Sequence, residues 1–241
     1  PYEVYGREGI EGSAISQLHH ACKLPVSVRG FLAPDGHVGY GLPIGGVLTT
    51  DNAVIPWAVG VDIACRMKLS IVDLPPKKLE KRSEKLARAI REETRFGMGS
   101  DFSDGEKRQA DVMDDPAWQD LPMALRGLKD RAAIQLGSSG GGNHFVEWGT
   151  VTLDESYEGL EPGEYIGLLS HSGSRGFGAR VADRYSKLAK ELCPDLPKDY
   201  KDLGWLYMDA EGAEYWLAMD LAGRYAQANH DCIHEHVIHA A

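Results

Sequence analysis

The stretch TTDNAVIPWAVGVDIACRMKLSIVDL, residues 49–74, is apolar and β-prone over most of its length, and such a run reads as strand and core. Inside it stand Asp62 and Cys65, three residues apart in VGVDIAC. A carboxylate set among core residues costs free energy unless a partner compensates it. Cys65 can be a small core residue and Asp62 a turn or cap residue. Alternatively, carboxylate and thiol can converge on one metal ion from a turn beside an apolar strand. A lone D-x-x-C favours the first reading, so the second needs other ligand-type residues in similar settings.

The 241 residues, 43% hydrophobic and 26% charged, are enough to bury a large core as one big domain or two small ones. No apolar stretch approaches the roughly 20 residues needed to span a bilayer, so no membrane location is expected. The opening PYEVYGREG has no starting Met, basic n-region or apolar h-region, which predicts no signal peptide and a start inside a longer gene product. Cys22, Cys65, Cys193 and Cys232 show no paired spacing and suit a reducing cytoplasm. A net charge of −10 argues against a non-specific nucleic-acid coat protein. It leaves room for an enzyme that handles a strand end through a local basic site.

Residues 13–22 (SAISQLHHAC) read as a short helix with Ser13 as N-cap. Glycines at 36, 39, 41, 45 and 46 demand tight turns or close backbone approach. A strand is predicted over 66–74, then a charged helix with an apolar stripe over KKLEKRSEKLARAIREE, residues 77–93. Residues 97–118 read as an acidic, loop-rich insertion, and a helix is expected over about 120–133. The glycine cluster LGSSGGGNHFVEWG ends in a strand. EYIGLLSH (164–171) forms another strand, leading through a turn into the helix of SGSRGFGARVADRYSKLAKEL, and a last helix runs from about 210 to 236. Strands and helices mix without a βαβ rhythm. The expected fold class is therefore α+β, with mixed sheets and flanking helices, rather than a doubly wound sheet.

Further ligand-type residues do occur in such settings. His144 follows three glycines at the start of a strand in GGGNHFVEW, His171 sits at a strand end in LLSHSGSRG, and His37 lies among glycines in PDGHVGYG. Rigid strand ends that present His, Asp and Cys are a usual way to assemble a metal site. From residue types alone the thiolate points to zinc. SHSGSRGFGAR places amides, serine hydroxyls and Arg175 before a helix. This is either a cradle for an anion or a junction that needs small residues, and it lacks the P-loop pattern. The four histidines of HDCIHEHVIH (230–239) miss the zincin spacing, since position 238 is Ile238; they are expected on an exposed terminal helix. His19 and His20 are expected at the surface or an edge.

Taken in order, LAPDGHVGYGLPIGGV, AVIPWAVGVDIACRM, LGSSGGGNHFVEW and LLSHSGSRGFG resemble the RtcB family of RNA-splicing ligases. The match spans roughly residues 25–180, and the trailing YAQANHDCI is similar as well. The resemblance implies an RtcB-like fold, with residues 1–241 as the N-terminal portion of a single catalytic domain. It implies a ligase that joins RNA ending in a 3′-phosphate or 2′,3′-cyclic phosphate to RNA beginning with a 5′-hydroxyl, in tRNA splicing or RNA repair. The implied cofactors are GTP and two Mn2+ ions, and an archease-type activator is an implied partner. Asp62 and Cys65 would be metal ligands, with the Cys65 thiolate bridging both ions, His144 completing one shell and His171 contributing to the second. Asn143, Phe145 and Glu147 match positions that hold the guanine nucleotide or its phosphates. Arg175 matches a position that meets RNA or nucleotide phosphate.

In the family a histidine becomes guanylylated, and GMP then passes to the RNA 3′-phosphate before the 5′-hydroxyl displaces it. That histidine sits in a His-Gly-Ala-Gly segment, and a further histidine ligand sits in a His-Asn motif; neither segment occurs in these 241 residues. The chain also departs from the family pattern at Gly36 before His37, where a bulkier residue is usual, and at Ala64 and Arg66 flanking Cys65, where many members have glycines. The alternatives to a ligase are a metal-dependent phosphatase or hydrolase built on the same cluster, and an inactive metal- or nucleotide-binding homologue.

Overall fold

The computed structural model describes residues 1–241. Its strands are β1 (Tyr2–Val4), β2 (Ser27–His37), β3 (Ile44–Thr50), β4 (Ala53–Val54), β5 (Arg66–Val72), β6 (Phe145–Leu153), β7 (Gly163–Ser172) and β8 (Leu206–Tyr207). They form small sheets accompanied by helices, the α+β class expected from the pattern. The chain divides into two compact units: Pro1–Val61 with Ala179–Met219, and Asp62–Gly178 with Asp220–Ala241.

In the first unit the sheet runs β1-β2-β3, with β1 parallel and β3 antiparallel to β2. The helix Gly12–Ala21 buries Ala14 and Leu18 with Ile10 and Leu32. It begins one residue before Ser13, so Glu11 occupies the N-cap position and the Ser13 hydroxyl donates to the Glu11 carboxylate instead of capping. A second cluster gathers Ala21, Leu24, Val26, Ala53, Ile55 and Leu203, beside the two-stranded pairing of β4 with β8. His19 is exposed and His20 half-buried, as expected for edge residues.

In the second unit β7 is the central strand of an antiparallel sheet ordered β5-β7-β6. Met67, His171 and Phe145 are aligned in register, and their neighbours Lys68, Ser170 and Val146 are aligned in the next row. Successive side chains on a strand point to opposite faces, so these rows belong to opposite sides of the sheet. The side of Val146 and Leu168 is covered by Ala89 and by Ile233 and Val237 of the last helix, Glu211–Ala240. On the other side Met67 and Leu69 are half exposed.

The charged helix expected over 77–93 occurs as two pieces, Lys77–Lys81 and Ser83–Glu93, separated by Arg82 at φ −118°, ψ 16°. The segment 97–118 holds two short 3-10 turns, the first closed by the reciprocal Ser103–Glu106 capping box. The helix expected near 120–133 is also two pieces, Met123–Arg126 and Leu128–Gln135, entered after Pro122 and joined at Gly127. No helix is long and apolar enough to cross a membrane.

The expectation of an exposed terminal histidine cluster is overturned. His230 and His234 of the last helix are 1% and 2% exposed, not surface residues. Ser170, on the covered side of β7, supplies both rings with a hydrogen-bond partner, which offsets the cost of burying them. His239 is exposed, and His236 lies with Nδ1 2.8 Å from the Cys232 carbonyl oxygen of the preceding turn.

The facing of β5 and β7 is testable by truncation. Leu168→Ala removes a fully buried side chain and should cost about 2–4 kcal/mol in urea unfolding. Leu69→Ala, on the open side at 49% exposure, should cost less than about 1 kcal/mol.

Candidate metal centre

The turn that carries Asp62 and Cys65 is closed by the Cys65 N–H donating to the Asp62 carbonyl at 3.1 Å. Ala64 within it stands at φ +60°, a left-handed conformation that favours glycine. The Asp62 carboxylate accepts the Ser174 N–H at 3.2 Å. This close seat depends on Gly173, because a Cβ there would lie 2.1 Å from Asp62 Oδ1.

His144 and His171 reach the same point from β6 and β7. The Nδ1 of His144 lies 2.8 Å from the Ser139 carbonyl oxygen, and the Nδ1 of His171 lies 3.0 Å from the Asn143 carbonyl oxygen. A carbonyl only accepts, so each Nδ1 carries the proton and each Nε2 is turned to the cluster. His144 Nε2 lies 2.7 Å from Asp62 Oδ2 and 3.5 Å from Cys65 Sγ. His171 Nε2 lies 2.9 Å from Cys65 Sγ. The donor atoms of Cys65, His144 and His171 all fall within 4.8 Å of one another. One thiolate, two imidazole Nε2 atoms and an adjoining carboxylate form a donor set that fits a divalent transition-metal ion. The backbone carbonyls that hold each Nδ1–H are the usual outer support of ligating histidines.

Without an ion, protons occupy this site. The hydrogen bond to Asp62, and then that to Cys65, pushes His144 up to about 10. Burial pushes the Asp62 carboxyl up, yet His144, the Ser174 amide and Arg175 together outweigh it and hold the group below its ordinary value. An imidazolium–carboxylate pair therefore stands where a cation would sit.

Arg175 opens its helix at φ +55°, and its Nε donates to Ser138 Oγ at 3.0 Å. Burial lowers its pKa. The guanidinium packs on Gly140, whose φ is +109° and where a Cβ would come within 2.0 Å of Arg175 Nη1 and 2.7 Å of His144 Nδ1. The glycine run before His144 is thus shaped to let a guanidinium and the His144 ring approach the backbone.

The remaining candidates sit beside this cluster or apart from it. Asn143 is exposed and contributes its carbonyl to His171. The Phe145 ring meets His171 edge-on, with centroids 5.8 Å apart. Glu147 is exposed one pleat along the same side of β6. His37 belongs to the first unit, its Nδ1 2.9 Å from the Asp35 carbonyl oxygen. Sequence reasoning passed over Ser139, Ser172 and Asn229. Ser172 Oγ donates to the Ser139 carbonyl at 2.7 Å, and Asn229 bridges the Gly137 N–H and the Ser138 carbonyl at 2.8 and 3.0 Å. Only the unexplained density of serines beside both histidines hinted at them.

Two substitutions test the backbone of the site. Ala64→Gly should raise stability by up to about 1 kcal/mol by relieving the left-handed strain. Gly140→Ala should lower it by more than about 1 kcal/mol; thermal unfolding of both variants reads the signs.

The profile of the family described as tRNA-splicing ligase RtcB matches residues 17–241. The RNA-splicing ligase RtcB of Escherichia coli is 30% identical over 251 residues, covering 96% of this chain and 58% of that protein. The tRNA-splicing ligase RtcB of Thermococcus kodakarensis is 30% identical, covering 91% and 53%. The RNA-splicing ligase RtcB homolog 2 of Entamoeba dispar is 29% identical, covering 93% and 50%. The chain spans about half the length of these curated relatives. With its motifs in order and the profile matched over nearly all of its length, the chain belongs to the RtcB family.

Proposed function

We propose that this chain is the metal- and nucleotide-handling portion of an RNA ligase. The ligase joins 3′-phosphate or 2′,3′-cyclic phosphate ends to 5′-hydroxyl ends with GTP and two Mn2+ ions. The observation that carries this reading is the convergence of Asp62, Cys65, His144 and His171, with each ring held so that its Nε2 faces the Cys65 thiol. Asp62, Cys65, His144 and His171 would hold the ions. When bound, such ions supply positive charge that neutralises triphosphate oxygens and stabilises departing pyrophosphate.

The chain's own residues provide orientation and charge. The Ser139 and Asn143 carbonyls keep the two rings from turning. Arg175, anchored on Ser138, offers a fixed cation to a nucleotide or RNA phosphate. Asn143, Phe145 and Glu147, on the exposed approach to His171, are assigned to the guanine nucleotide. The histidine that receives GMP lies outside these 241 residues in this reading. A cytoplasmic setting is proposed because the four cysteines are free and a ligand thiol needs a reducing compartment. An archease-type activator belongs to the same proposal.

Manganese titration followed by electron paramagnetic resonance tests the centre. Cys65→Ala should weaken binding by at least about tenfold. The His144 proton and the Cys65 thiol proton must both leave for a cation to bind, so apparent affinity should rise by at least about tenfold per pH unit from pH 6 to 8, with proton release seen by calorimetry. The His144–Asp62 pair stabilises the fold fully between the ordinary carboxylate range and pH 6.5; that contribution fades as pH rises from there through about 10, and it is lost again in acid as Asp62 takes up a proton.

Ligation is read on the complete gene product with Mn2+, GTP and two labelled RNA pieces bearing the stated ends. A joined product that disappears in Cys65→Ala is expected. Release of inorganic phosphate without joining would replace the ligase with a metal-dependent phosphatase, and unchanged RNA alongside tight metal binding would leave a binding module.

A further inference from the structure

Behind His171, on the covered side of β7, lies a buried polar chain that the ligand set does not use. Its members are Ser70 on β5, Ser170 and Ser172 on β7, and His230 and His234 on the last helix. Ser170, Ser172, His230 and His234 are all nearly or fully inaccessible. His230 Nε2 lies 3.1 Å from the Ser172 carbonyl oxygen and its Nδ1 2.7 Å from Ser170 Oγ. His234 Nε2 lies 2.8 Å from the same Ser170 Oγ, and its Nδ1 lies 2.7 Å from Ser70 Oγ.

One atom sets the direction of every link. The Ser172 carbonyl has no proton to give, so His230 must donate to it from Nε2. In the neutral ring Nδ1 then accepts, and the Ser170 hydroxyl donates to it. Ser170 has a single proton, so its contact with His234 must be a donation from His234 Nε2–H. His234 Nδ1 accepts in turn from the Ser70 hydroxyl. The result is a one-way relay, Ser70 to His234 to Ser170 to His230 to the Ser172 carbonyl, in which every ring nitrogen and the hydroxyls of Ser70 and Ser170 are matched.

The relay grips both sides of His171. Ser170 and Ser172 are its immediate neighbours, and strand alternation turns their side chains away from its ring. Ser172 also reaches the other ligand: its Oγ donates to the Ser139 carbonyl, the same atom that accepts His144 Nδ1–H. Asn229, next to His230, donates to Ser172 Oγ at 3.1 Å and bridges Gly137 and Ser138. One helical turn thereby ties together both segments that present ligand nitrogens.

We propose that His230 and His234 are positioning residues for the metal centre. In this role they act through Ser170 and Ser172 as a neutral relay with both rings in the Nε2–H form, holding His171 and the Ser139 carbonyl in ligand geometry. The inference rests on the functional reading for what is held, and on this chain's own hydrogen bonds for how. The charged groups that face the rings are Arg66 and Lys68 of β5 and Asp231 of the helix; Lys68 and Asp231 pair with each other. The inner residues of β7 (Ile166, Leu168, Ser170, Ser172) include nothing titratable. Burial lowers both histidines, His234 to about 4 with help from Lys68 and His230. Both rings are therefore neutral at pH 7. Protonating His230 would make Ser170 accept from both rings and leave its hydroxyl proton without an acceptor.

The test combines a spectroscopic signature with conservative rescue. In the 15N-histidine-labelled protein, long-range proton–nitrogen spectra at pH 6–8 should show both rings protonated at Nε2 and bare at Nδ1. His234→Gln keeps a donor toward Ser170 and should hold Mn2+ affinity within about threefold of the parent. His234→Leu and His230→Leu should weaken it by about tenfold or more and release the His171 Nδ1–H to faster solvent exchange, with cooperative unfolding retained. Should the leucine variants fail to fold, Ser170→Ala removes the central link at almost no change in volume and should produce the same loss. Rings in the Nδ1–H form, or folded Ser170→Ala protein with unchanged affinity and unchanged His171 exchange, would overturn the relay. A parent protein that binds no Mn2+ would count against the functional reading alone, and the tautomers with the His171 exchange rate would still decide the relay.

Discussion

Two backbone carbonyls, those of Ser139 and Asn143, determine which nitrogen His144 and His171 each turn to the cluster. An imidazole is free to offer either ring nitrogen until one of them is occupied. At both positions the Nδ1–H is taken by a carbonyl in the loop that runs into β6, and Nε2 is left for the cluster around Cys65. The glycines of that loop serve this arrangement. At Gly140 any side chain would collide with Arg175 and His144, so the backbone must come close enough to be a wall of the site.

A centre of this kind needs rigidity more than stability. The covered side of the sheet supplies it through β7, which alternates His171 with two serines instead of apolar residues. Those serines would be a liability against an apolar helix. The helix answers with His230, His234 and Asn229, so the polar groups are matched in a directed chain. Core packing resumes immediately below, where Leu168 and Val146 meet Ile233 and Val237. Apolar burial and polar matching thus share one helix–sheet contact, the first supplying adhesion and the second orientation.

Electrostatics follows the same division. The chain carries −10 overall, yet around the cluster the positive charge is concentrated and held in place: Arg175 on Ser138, and a proton on His144 kept there by Asp62. What raises the pKa of His144 is the same carboxylate and thiol that would bind a metal. Global charge says little about such a site.

Much of this was legible in the chain itself. Asp62, Cys65, His144 and His171 stood out because ligand-type residues in glycine-rich turns at strand ends are hard to explain as packing, and the order of the four motifs pointed to the family. Strand and helix periodicity located β5, β6, β7 and the long helices, since alternation and helical repeat depend on local geometry alone. The breaks at Arg82 and Gly127 were not visible, because helix continuity at such points depends on surroundings that periodicity does not report. Nor was the burial of His230 and His234, whose sequence context looks like any histidine-rich terminal helix. Whether a polar side chain is a surface ornament or a buried partner depends on what the tertiary fold places opposite it. Residue types and spacing determined the donor set; only the packing of the last helix on the far side of β7 decided how those donors are held, because hydrogen-bond direction is set by a carbonyl about sixty residues away in the chain.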